Sequence, residues 1–135
     1  MASGGDRDDC RLDLRRPLGL FVVPPLQRWH RGAAVLLGDA AHAMLPHHGQ
    51  GANTTIEDAI TLAALLSNRV DGLPDRYTAL RRLRTRTIQH SSWDTNHALH
   101  LPDGPALGER NRRLAAFPQR FGWIHEFDAL AAAGR

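Results

Sequence analysis

The residues of this 135-residue chain that could do chemistry crowd into one stretch. Gly38-Asp39 closes a short apolar run, and a loop with His42, Pro46, His47, His48, Gly49, Gln50 and Gly51 follows before Ala52-Asn53. A carboxylate delivered to the C-terminal end of a strand faces a crevice and not a packed layer, so Asp39 is placed to accept hydrogen bonds from sugar-type hydroxyls. Gly49 and Gly51 let the backbone turn sharply or approach a planar ligand closely. The segment that follows reads as a helix, and its first unpaired N–H groups bring about half a unit of positive charge to the same crevice. Such an end suits phosphate or another delocalised anion. The histidines do not form a metal site by spacing: His42 and His47 lack the i, i+4 separation of a helical ligand pair and no Cys joins them. No metal is expected, and His42 is expected to hydrogen-bond locally.

The elements that position these groups follow from periodicity. Residues 33–37 read as a buried strand. Ile56, Ile60, Ala63 and Leu66 recur at spacings of three and four, which predicts a helix with that apolar face running from Thr54 to about Asn68. Thr54 and Glu57 have the spacing of a capping box, and Glu57 and Asp58 suit the dipole of a first turn. A start nearer Gly51 is the alternative. Asp71-Gly72-Leu73-Pro74 breaks the chain, and Tyr77, Leu80, Leu83 and Ile88 mark the apolar side of a long helix reaching about Leu99. Arg76, Arg81, Arg82, Arg84 and Arg86 fall mostly on its other side, expected to be a solvated face with scattered ion pairs. Two shorter helices are predicted at 109–117 and 121–132, separated near Pro118. Upstream, residues 18–23 read as a short strand stopped by Pro24-Pro25, Trp29 as a core-capping aromatic, and residues 1–16 as a flexible leader.

Composition narrows the classes. The length allows one ordinary domain, and 42% hydrophobic content supports a modest core. All 17 basic residues are Arg and the net charge is only +3, without the aromatic interleaving of a nucleic-acid module, so no nucleic-acid partner is expected. Cys10 is the single cysteine, which excludes an internal disulfide. With no apolar run of about eighteen residues, no membrane partner is expected and a cytoplasmic location is.

Leu37-Gly38-Asp39-Ala40-Ala41-His42, Pro46, Gly49-Gln50-Gly51-Ala52-Asn53 and Glu57-Asp58-Ala59 together resemble the second flavin fingerprint of class A FAD-dependent aromatic-ring monooxygenases, the family of para-hydroxybenzoate and salicylate hydroxylases. Tyr77 and Arg81 are similar to that family's Tyr-x-x-x-Arg helix. Trp123-Ile124-His125-Glu126-Phe127-Asp128 is similar to its C-terminal ending, with His125 where Tyr is usual. The family's opening Gly-x-Gly-x-x-Gly unit, which holds the ADP half of FAD, has no counterpart in this sequence. The chain therefore looks like the C-terminal third of such an enzyme.

The resemblance implies an α/β fold: a partial FAD/NAD(P)-binding, Rossmann-like fragment with one or two strands and a mostly helical C-terminal portion. Residues 17–70 would be the end of the FAD-binding domain and residues 71–135 a helical region. It implies FAD as cofactor and NAD(P)H as reductant, with an aromatic or related small molecule hydroxylated. Gly38 and Asp39 would belong to the FAD site, with Asp39 hydrogen-bonding the ribityl or ribose hydroxyls. The loop from Pro46 through Gly49, Gln50 and Gly51 would run beside the isoalloxazine, and the amides near Ala52 and Asn53 would meet its N1–C2=O2 edge. His47 or His48 would be available to the substrate. No residue is assigned as catalytic base. The alternative is a non-catalytic remnant, or a half-enzyme needing a separate N-terminal FAD-binding chain.

Overall fold

The computed structural model describes residues 19–102 and 104–134. A two-residue hairpin opens it: β1, His30–Arg31, pairs antiparallel with β2, Ala34–Val35, in the register His30 to Val35 and Arg31 to Ala34. Gly32 makes the turn between them at φ 58°, a conformation open mainly to glycine. Six helices follow: α1 (Asp39–His42), α2 (Gln50–Ser67), α3 (Leu73–Leu99), α4 (Leu107–Ala115), α5 (Phe117–His125) and α6 (Ala129–Ala133). A 3-10 turn, Pro46–His48, links α1 to α2. This is the strand-poor, helix-rich fragment that the sequence predicts.

Two apolar clusters hold the helices. Trp29, Ala41, Leu65 and Tyr77 form one, where β1, α1, α2 and α3 meet. Trp29 is buried against His42 and Tyr77, with ring centroids 5.5 and 6.0 Å away, in the core role that its sequence position predicts. Ile88, Phe121 and Ile124 form the second, with Met44 and Phe117 packed on it, and fasten α5 to the middle of α3. The long helix α3 is thus the spine. Pro74 sits in its first turn, where a missing N–H costs no hydrogen bond.

Several expectations are corrected. Residues 19–23 carry no strand, and the remaining residue of that predicted element lies outside the described ones, as does the predicted leader. The predicted strand at 33–37 is paired only at Ala34–Val35, and Leu36 and Leu37 are exposed rather than buried. The helix α2 begins at Gln50, the earlier of the two starts considered. Thr54 is therefore inside the helix, where its hydroxyl donates to the carbonyls of Gln50 and Gly51, and no capping box exists. The C-terminal helices fall at Leu107–Ala115, Phe117–His125 and Ala129–Ala133, because Pro118 starts α5 instead of ending its predecessor. Asp128 caps α6 by accepting the Ala131 amide at 2.9 Å.

The largest correction concerns which face of α2 is inside. The predicted apolar face, Ile56, Ile60, Ala63 and Leu66, points outward, and Thr54, Asp58, Thr61 and Leu65 point inward. On α3, Arg81 is fully buried and Leu83 is 72% exposed, the reverse of the expected solvated arginine face at that position. Long-range ion pairing between the two helices is the physical reason.

Candidate functional site

Gly38 and Asp39 occupy the corner between β2 and α1. Gly38 has φ 58° and ψ −141°, a combination that a side chain would strain. A Cβ there would also stand 2.9 Å from Thr55 Oγ1, so the turn packs directly on α2. The corner projects Asp39 outward as the first residue of α1. Its side chain is exposed, and among the described residues its carboxylate has no hydrogen-bond or ion-pair partner.

The second part is the start of α2. Gly49, at φ 62° and ψ 23°, is both the end of the 3-10 turn and the N-terminal cap of α2, and its own amide donates to Pro46 O. No side chain caps α2. Outside the helix's own ladder, the amides of Gln50, Gly51 and Ala52 have no backbone acceptor among the described residues. Gly51, Ala52 and Asn53 are at least partly exposed, whereas Gln50 is buried and its side-chain Nε2 donates to His48 O at 3.2 Å. Beside this helix end, Gln50, Asn53, Ile56, Ile124, His125 and Phe127 line an open cleft of about 200 Å³.

The two parts are joined by a buried polar network. Asp58 is inaccessible and accepts three hydrogen bonds: from the Gly38 amide at 2.9 Å, from His42 Nε2 at 2.7 Å and from Arg81 Nε at 2.7 Å. Because an ionised carboxylate only accepts, His42 Nε2 carries the proton. Burial alone would raise the Asp58 pKa, but the His42, Arg81 and Gly38 hydrogen bonds outweigh it and hold the carboxyl below its usual range. Arg81 Nη2 reaches on to Thr54 O and Glu57. Glu57 is also gripped by Arg84 through two 2.7 Å contacts. Burial pushes its pKa up and the Arg84 and Arg81 hydrogen bonds bring it down further. Arg84 in turn donates to Ile124 O and lies 4.0 Å from the Phe127 ring centroid, which ties the network to the Trp123–Asp128 segment. Tyr77, against the same carboxylate, is held protonated by burial and by the Asp58 charge.

The loop histidines are both engaged. His47 Nε2 bonds Asn96 Oδ1 at 2.8 Å. His48 is within 3.3 Å of the Thr95 hydroxyl and packs at a tilt against Phe121, with ring centroids 4.5 Å apart. Burial, with the nearby charges of His47, Arg120 and His125, lowers the His48 pKa against a smaller opposing effect of the Ser91 backbone. Among the described residues no group of three His, Cys, Asp or Glu could hold a metal.

The sequence places Gly38, Asp39, Pro46, Gly49, Gln50, Gly51, Ala52 and Asn53 in one site, and in the structure they flank α1 and the start of α2. What sequence reasoning missed is the shell behind them. Asp58 and Arg81 were read as a helix-start acid and a surface cation. Their separation of 23 residues gives no local signal, although both belong to matched motifs.

An outward carboxylate on a glycine corner and an uncapped helix start, linked through Asp58 and Arg81, are groups that suit a ligand with hydroxyls and an anionic or carbonyl edge. Comparison with known proteins places the chain in a family. Residues 25–92 match the family model described as FAD binding domain, and the chain belongs to that family. It is 41% identical over 112 residues to a 3-amino-4-hydroxybenzoate 2-monooxygenase of Streptomyces platensis, covering 79% of this chain and 28% of that protein. Identity to a salicylate hydroxylase of Pseudomonas putida is 40% over 125 residues, covering 86% of this chain and 29% of the relative. A solved salicylate hydroxylase substrate complex matches with a TM-score of 0.70 at 32% identity, over 82% of this chain and 28% of that one. The chain thus spans less than a third of the length of these relatives.

Proposed function

We propose that this chain forms the FAD-holding corner of an NAD(P)H-dependent flavoprotein monooxygenase that hydroxylates an aromatic or related small molecule. The observation that carries the reading is the free, outward Asp39 carboxylate beside three unengaged amides at the start of α2. The residues present fit the cofactor. Asp39 would accept from sugar-chain hydroxyls, and the amides of Gln50, Gly51 and Ala52 would donate to the flavin edge that turns anionic on reduction. FAD, when bound, supplies the redox chemistry, and the protein binds it, orients it and excludes water. The Pro46–His48 turn would border the substrate, with His47 and His48 held in place by Asn96, Thr95 and Phe121. The reading includes a cytoplasmic location and neither a nucleic-acid nor a membrane partner. No described helix is long and apolar enough to cross a membrane.

The test is a titration of the purified chain with FAD, followed by quenching of flavin fluorescence. Asp39→Ala should weaken binding about tenfold or more, the loss of a charge-assisted hydrogen bond, while its circular dichroism stays that of the wild type. A folded wild-type chain that leaves flavin fluorescence unchanged would overturn flavin binding by this chain alone.

A second reading is supported by the exposed Leu36, Leu37, Ile56, Ile60 and Leu66. Such a surface suits a chain that docks on a separately encoded N-terminal FAD-binding half, or a remnant that has lost it. Under that reading FAD alone gives no quenching and the chain remains folded.

A further inference from the structure

We propose that Asp58 is the positioning residue of the cofactor corner: its buried carboxylate holds the Gly38 amide and so fixes the turn that presents Asp39. The inference rests on the FAD reading for its functional consequence and on the structure for its geometry. Three observations carry it. Asp58 is wholly buried yet spends one of its hydrogen bonds, at 2.9 Å, on the backbone of Gly38, 20 residues away. Gly38 sits at φ 58° and ψ −141°, a conformation open mainly to glycine, and a Cβ there would stand 2.9 Å from Thr55 Oγ1, so the turn packs closely on α2. The other Asp58 contacts, His42 Nε2 and Arg81 Nε, both at 2.7 Å, immobilise the carboxylate from two further elements, α1 and α3.

The corner therefore does not depend on its own residues alone for its shape. Asp39 is free to face a ligand because the ionic tie is made one residue earlier, through the backbone, by a different acid. Asp58 is wholly buried and acts on the corner from behind, through the Gly38 amide and His42 of α1, which separates its role from that of the exposed Asp39. The charge matters as well as the contact. An anionic acceptor grips an amide about twice as strongly as a neutral one and needs the two cationic or N–H partners behind it to remain ionised when buried.

The test uses the whole chain labelled with nitrogen-15 and reads amide exchange residue by residue. In the wild type, Gly38 should exchange about a hundredfold more slowly than Leu37, whose amide has no partner among the described residues. An unprotected Gly38 in the wild type overturns the proposal without any variant. In Asp58→Asn, Gly38 should be accelerated about tenfold more than Ile88 in the α3 core, which reports the loss of overall stability, and FAD affinity should fall about tenfold. Equal acceleration at Gly38 and Ile88 would mean that Asp58 serves overall stability only, and would overturn the positioning role. Unchanged FAD affinity with Gly38 released would overturn it too. A wild-type chain with protected Gly38 and no FAD binding would instead overturn the cofactor reading, leaving Asp58 as the residue that sets the turn.

Discussion

On α2 the inward face carries Thr54, Asp58, Thr61 and Leu65, all buried, while the outward face carries Ile56, Ile60 and Leu66, exposed by 58%, 40% and 60%. Hydrophobicity alone would turn this helix the other way. Each Ile or Leu side chain kept in water forgoes about 1.5–3 kcal/mol of burial. A buried carboxylate left unpaired costs about 3–5 kcal/mol, so the inward face is tolerable only because Arg81, His42 and the Gly38 amide meet Asp58. The contrast teaches that the inner face is dictated by the geometry of one ion-paired acid, and the outer face is left for whatever else this surface meets.

The sharpest way to break the comparison is Arg81→Met. It keeps much of the side-chain volume, removes both Arg81 contacts to the acids and leaves Asp58 buried with less compensation. The expected loss is about 3–5 kcal/mol in urea unfolding. A loss below about 1 kcal/mol would show that the inward face does not depend on pairing.

Acid should remove a part of the same stabilisation. The folded-state pKa values of Asp58 and Glu57 are both depressed, so their contribution is fully present above the ordinary carboxylate range near 4. It is lost as pH falls through the lower folded values. Thermal unfolding followed from pH 7 downward should show a small loss as pH falls below about 6.5, where the lowered His48 pKa makes its protonation unfavourable in the folded chain, and a larger decline below about pH 5. In Arg81→Met the decline should be smaller, because a cationic partner shared by both acids is already gone, while His42 and Arg84 still hold Asp58 and Glu57. An equal decline in both chains would assign the acid sensitivity to other carboxylates.

Gly38→Ala comes next in size. Positive φ and a Cβ 2.9 Å from Thr55 Oγ1 together predict a loss of about 1–3 kcal/mol, measured by the same urea titration. The change leaves Asp58 and Arg81 in place, so it separates the corner from the ion pair behind it. A neutral result would mean that the corner can relax without moving α2.

How much of this was legible beforehand follows from the range of each interaction. The glycine corner, the loop and the two long helices could be read from Gly38-Asp39, Pro46, Gly49 and the Pro74 break, because turn chemistry and helix stops act over a few residues. Trp29 was legible as core for its size and apolarity. The inner face of α2 was not. Ile56, Ile60 and Leu66 have a helical period whichever side is buried, and Asp58 and Arg81 look like ordinary surface charges until α3 folds back on α2. Glu57 misled in the same way: its spacing from Thr54 mimics a cap, but its partners are Arg81 and Arg84, 24 and 27 residues away. The apolar run before Gly38 was read as buried from composition, and Leu36 and Leu37 are exposed. Burial is a property of what covers a residue, and that information lies elsewhere in the chain or on another surface.

The smallest effect tests the outer face directly. Leu65 and Leu66 are adjacent in sequence, identical in type and both in the last turn of α2, but Leu65 is 1% exposed and Leu66 60%. Leu66→Ala removes side-chain atoms that are already mostly in water and substitutes the best helix former, so the chain's stability should move by no more than about 0.5 kcal/mol. Far-UV circular dichroism during urea unfolding is the measurement. A loss of about 2 kcal/mol or more would mean that the outward face is covered in solution, with another copy of the chain as the expected cover, because nothing among the described residues buries it. Repeating the titration at a tenfold lower protein concentration separates the two cases, since only a covered face makes stability depend on concentration.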